Sequence, residues 1–146
     1  MSLVELQKIR ERRLEKKQTE VMQSKQAVVE AERNLAQTIV KMEKFREWRL
    51  SHQEELFKGL QSQPCTIHSM QEYQTKLFAL SQQEEQLRAA IPTAQTLLEQ
   101  ANQNLTKIRA EMNALAMKNE KTKEIVETQH KADVQLALYV EQNQDP

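Results

Sequence analysis

The chain has 146 residues, no formal net charge, 38% hydrophobic and 29% charged residues, one glycine and three prolines. So few turn-forming residues exclude a compact domain of many short elements, and alternating β-branched or aromatic runs, the mark of strands, are absent. The balanced charge argues against nucleic acid or an anionic membrane as partner, and no apolar run approaches a membrane span.

The opening MSLVELQKIRERR lacks the apolar core of a secretory signal. A single cysteine, Cys65, has no internal disulfide partner and fits a reducing compartment. The expectation is a soluble, cytoplasmic protein with no direct membrane insertion.

Ser2 and Glu5 match a capping box, so a first helix is expected over about residues 2–60. Its seam reads Leu14, Val21, Val28, Leu35, Met42 and, after Arg49, Leu56. Ala31 and Phe45 fill alternate places, and Lys17, Ser24, Thr38 and His52 interrupt it. Near its start KIRERRLEKK is locally basic, with Arg10, Arg12 and Arg13 against few acids. A solvated helix face accounts for that stretch, as does a helix end docking on an acidic protein surface. Direct nucleic-acid binding would call for a wider positive face and nearby stacking rings, and none lies there.

The breaks fall together next. Gly59 precedes SQPCTIHS, where Pro64 disfavours helical geometry at Gln63 and removes a backbone donor. A turn is expected over about residues 61–68. Ser69 and Glu72 match a second capping box, opening a helix over about residues 69–142. From Tyr73 a seam advances by fours and threes through Leu77, Leu80, Glu84, Leu87, Ile91, Ala94, Leu98, Ala101, Leu105, Ile108, Met112 and Leu115. Its phase continues through Asn119, Thr122, Val126, Gln129, Asp133, Leu136 and Val140, where polar residues take half the places. Pro92 falls off this seam, so a bend is expected there and not a stop.

Two heptad helices and one turn imply an all-α fold, a long antiparallel two-helix coiled-coil hairpin spanning 1–146 as one monomeric unit. The arms would measure roughly 90 and 110 Å at ~1.5 Å per residue, with the end of the second overhanging the first. A parallel dimer of extended helices is the competing architecture, and Pro64 argues against it.

Such a hairpin offers almost no concavity for catalysis. His52, His68 and Cys65 could meet at the turn as metal ligands, but exposed polar residues at a hairpin tip explain them as well. Glu54–Glu55 and Glu84–Glu85 read as plain charge on solvated helices, with Glu84 at most a seam defect. No catalytic residue, cofactor or metal is expected. Towards the chain ends Lys17, Asn119, Thr122, Gln129 and Asp133 occupy the seam, so that half should pair weakly or pack against something else.

Leu6, Ile9, Arg10 and Arg13 at the start, FREWR closing the first arm, and Tyr73 with Leu77 opening the second carry a resemblance. The chain resembles the central stalk proteins of bacterial type III secretion, the YscO-like proteins and their flagellar FliJ-type relatives. The resemblance implies a coiled coil like that of the ATP synthase gamma subunit. It also implies a non-enzymatic role linking a hexameric secretion ATPase to the cytoplasmic domain of the export gate. Secretion chaperones are further implied partners, and the implied place is peripheral to the inner-membrane apparatus. By position, Phe45, Trp48, Tyr73 and Leu77 are the implied gate-facing residues, and Arg10, Arg12 and Arg13 are candidates for the ATPase. Phe45 reads as seam core, whereas Trp48, at the seam's edge, reads as a partner anchor. The alternative function is a coiled-coil chaperone or scaffold that holds a client helix.

Overall fold

The computed structural model describes residues 2–144. They form two helices, α1 (Leu3–Gln61) and α2 (Ile67–Gln144), folded as an antiparallel hairpin.

Local chemistry sets each helix end. The Ser2 amide donates to Glu5 Oε2 at 3.3 Å and the Glu5 amide donates back to Ser2 Oγ at 3.1 Å, which satisfies two donors that α1 leaves open. At the other end the Ser62 amide donates to the Lys58 carbonyl (3.1 Å) and its hydroxyl to the Gly59 carbonyl (2.9 Å). No described glycine has a positive φ, so Gly59 does not make the turn; it lies inside α1. The second helix starts at Ile67 and not at Ser69, because Thr66 takes the cap. The Thr66 amide donates to Ser69 Oγ (2.8 Å) and the Ser69 amide to Thr66 Oγ1 (3.0 Å), a reciprocal pair in which Ser69 plays the part expected of a glutamate. Helix α2 then runs through Pro92, which is exposed and off the seam.

Contacts between the helices divide into two units, residues 27–102 and residues 1–26 with 103–146. In the first, Val28, Leu80 and Ala94 are buried, and Leu35, Met42, Phe45, Leu56, Tyr73, Leu77, Leu87, Ile91 and Leu98 are half-buried. These are the residues of the expected heptads. Phe57 lies 6.5 Å from Tyr73 by ring centroids and Arg49 Nη1 lies 3.0 Å from Glu84 Oε2, so numbers fall along α2 as they rise along α1.

That second contact corrects the sequence reading of Glu84. It is only 7% exposed and is no defect, because Arg49, the interruption on α1, meets it across the seam. Arg46 Nε and Arg88 Nη2 each approach Glu84 Oε1 at 3.9 Å, too far for hydrogen bonds, and Glu84 Oε1 and Arg49 Nε have no hydrogen-bond partner. A buried ion pair left partly unsatisfied adds little net stability, yet losing one partner strands the other.

In the second unit Val21 and Leu105 are buried beside Ser24, Asn119 and Thr122. Leu3 and Val126 are half-buried, and from residue 127 to residue 144 every side chain is exposed. The seam phase continues there through Gln129, Asp133, Leu136 and Val140, but α1 has ended.

Two outcomes test this packing. Three heptads from the Phe57–Tyr73 contact reach Ala36 on α1 and Ala94 on α2; Leu35, the adjacent seam residue, is half-buried and Ala94 is buried. Cysteines at Leu35 and Ala94, on a Cys65→Ser background, should therefore crosslink within one chain at high dilution, as read by gel mobility. Glu84→Leu should lower stability by about 2–4 kcal/mol in denaturant melts, and adding Arg49→Leu should recover most of that, since the cost lies in the stranded guanidinium.

Candidate partner-binding surfaces

Within residues 27–102, the four candidate gate residues separate by exposure. Phe45, Tyr73 and Leu77 are half-buried at seam positions, whereas Trp48 is 50% exposed at the seam's edge. Helical spacing explains this, because the seam steps from Phe45 to Arg49 and leaves Trp48 on its flank, where a single neighbouring helix cannot cover a ring. The indole is nevertheless held. It stacks on the His52 imidazole (centroids 4.7 Å, planes 13° apart) and tilts against Phe45 at 5.6 Å. The ring is therefore held in one orientation, and little side-chain freedom would be lost if a partner covered it.

Sequence reasoning passed over two more exposed apolar residues of this unit. Leu50 and Phe57, one heptad apart on α1, line an open depression with Ser51, Gln53 and Glu54. Their seven-residue spacing was the available signal, but it lies off the seam and drew no attention.

The basic start of α1 also divides. Arg12 and Arg13 are exposed, as a docking face requires. Arg10 is half-buried and turned to α2, donating from Nη1 to the Lys118 carbonyl (3.2 Å) and to Thr122 Oγ1. Thr122, 1% exposed, donates a hydrogen bond from its own hydroxyl to the Lys118 carbonyl at 2.9 Å. Arg10 is thus a fastening between the helices. Below it Lys17 Nζ binds Glu111 Oε2 at 2.8 Å and Glu20 Oε2 at 2.7 Å. Hydrogen bonds that Lys17 donates to these carboxylates, Glu111 foremost, raise the Lys17 pKa above its ordinary value, and the same bond lowers that of Glu111. Asn119, 5% exposed, leaves its Oδ1 without a hydrogen-bond partner.

The metal-site idea at the turn finds no assembled ligand set. No group of three or more His, Cys, Asp or Glu among the described residues could hold a metal ion. His68 Nε2 lies 3.0 Å from Glu72 Oε1 and His52 Nδ1 3.7 Å from Glu55 Oε2, each beside a neighbour on its own helix. Among the described residues, no helix is long and apolar enough to cross a membrane.

No curated protein and no solved structure matches the chain. The family described as Type III secretion protein YscO matches residues 3–144, which takes in both helices and the turn. A helical hairpin with an edge tryptophan and a polar-seamed terminal half, matched over nearly its whole length, thus belongs to the YscO family of type III secretion proteins.

Proposed function

We infer that the protein is a central stalk of a type III secretion export apparatus, linking the hexameric secretion ATPase to the cytoplasmic domain of the export gate. It works in the cytoplasm, peripheral to the inner-membrane apparatus, as a monomer and without catalytic activity of its own. Secretion chaperones are further partners. The observation that carries this assignment is family membership over residues 3–144. Support comes from the chemistry of two surfaces that a bare hairpin does not need: the exposed pair Arg12 and Arg13, and the supported ring of Trp48.

Arg12 and Arg13 face the ATPase, where two exposed guanidiniums suit an acidic docking surface. Trp48 is the gate anchor. Phe45, Tyr73 and Leu77 hold the helix faces that present it and contribute their exposed edges to the contact.

Two experiments test these roles. Arg12→Glu with Arg13→Glu should weaken stimulation of the cognate ATPase while circular dichroism stays unchanged. Arg10→Ala should act differently, lowering the melting temperature, because it removes a fastening between the helices. Unaltered stimulation by the double variant would remove the basic end from the mechanism. A stable one-to-one complex with a single client helix, without stimulation, would favour the scaffold alternative.

Trp48→Ala should cost at most about 1 kcal/mol of stability, the scale of its ring contacts. It should weaken binding to the gate domain by about 1–3 kcal/mol, the usual range for an interface anchor. Phe45→Ala should destabilise by about 2 kcal/mol, because a half-buried seam ring is lost. Thermal melts and gate titrations on the two variants distinguish the roles. Equal loss of stability with gate affinity intact would make Trp48 a packing residue.

A further inference from the structure

Beyond Val126 the α2 seam continues in phase, but among the described residues nothing covers it. Leu136 is 62% exposed and Val140 44% exposed at seam positions, and Asp133 lies between them and Gln129 on the same face. Where α1 is present, three charged or polar residues on this side of α2 are met from the opposite helix. Glu84 meets Arg49 at 3.0 Å, Glu111 meets Lys17 at 2.8 Å, and Thr122 receives Arg10. In both acidic cases the helix opposite α2 supplies the cation. The free segment also carries Glu127, Asp133 and Glu141 against one lysine, Lys131, an acidic excess.

We propose that this free seam binds a helix of another protein, lying in line with α1 and antiparallel to α2, with a basic residue opposite Asp133 and apolar residues opposite Leu136 and Val140. The site continues an interface the chain already makes, in the same heptad phase and with the same pairing of acid on α2 to base on its partner. A second copy of the chain fits poorly. Antiparallel self-pairing in the register that matches Gln129 to Val140 sets Asp133 against Leu136 of the other copy, and in-register parallel self-pairing sets Asp133 against itself, so each of these buries an uncompensated or repelled charge. This site does not depend on what Arg12, Arg13 or Trp48 bind.

The test uses the full chain and synthetic amphipathic peptides with leucine at their seam positions and either Arg or Glu placed to face Asp133. By fluorescence anisotropy the Arg peptide should bind at least tenfold more tightly than the Glu peptide, and Asp133→Arg should reverse the preference. Leu136→Ala with Val140→Ala should abolish measurable binding, while Val134→Ala with Leu138→Ala, on the faces away from the seam, should leave it unchanged. Circular dichroism checks that each variant keeps its helicity. Equal affinity for the two peptides, or no binding of either, would overturn the proposal. So would equal loss from Val134→Ala with Leu138→Ala, which signals non-specific apolar adhesion. Self-association in sedimentation that Leu136→Ala removes would also overturn it, by giving the seam to a second copy.

Discussion

Each helix of this protein has a single helical neighbour, and every other feature follows from that. A heptad seam places only about two residues in seven against the partner helix, so the hairpin has no interior beyond the seam. Burial there must supply nearly all the tertiary stabilisation, and each polar residue admitted to it subtracts directly. With Arg49 and Glu84 the subtraction is limited because the two charges meet each other. Apolar residues off the seam have nowhere to go, which is why Leu50, Phe57 and Phe78 are exposed without any local misfit.

The same simplicity made the fold readable from sequence. With one seam per helix, spacing alone picks out the facing residues, and the positions covered from Tyr73 to Val126 follow the fours and threes of the sequence, with Glu111, Ala116 and Lys123 half-buried beside them. What spacing could not supply was pairing. Glu84 and Arg49 each read as an interruption when taken alone, and only the register joins them. Arg10 read as part of a basic face for the same reason, although its partners lie on α2. The start of α2 was misplaced for a local reason: Ser69 is a good cap residue, but Thr66 lies closer to Pro64 and Ser69 serves it from the third position.

The candidate surfaces were legible to different degrees. Resemblance named Phe45, Trp48, Tyr73 and Leu77, but it could not say which of them faces outward. Their exposure sorts them: three belong to the seam, and Trp48 is held at its edge by His52 and Phe45. A ring fixed in place by its own helix differs from an exposed ring left by chance. The same neighbours that orient the indole also lessen what its removal costs at any partner surface, because part of its contact area is already used within the chain.

The residues near the chain ends complete this logic. Ser24, Asn119 and Thr122 occupy buried places where larger apolar side chains would hold the helices more firmly, and the Asn119 carbonyl oxygen has no hydrogen-bond partner. A stretch whose seam is polar gains little from closing, since desolvating an amide or hydroxyl without a full set of partners offsets the apolar contacts beside it. Beyond Val126 the balance shifts the other way: Leu136 and Val140 return the seam to apolar character where no described residue of α1 covers it. Apolar residues in heptad phase contribute nothing to a helix that stands alone. Their stabilising effect appears only when a second helix covers them.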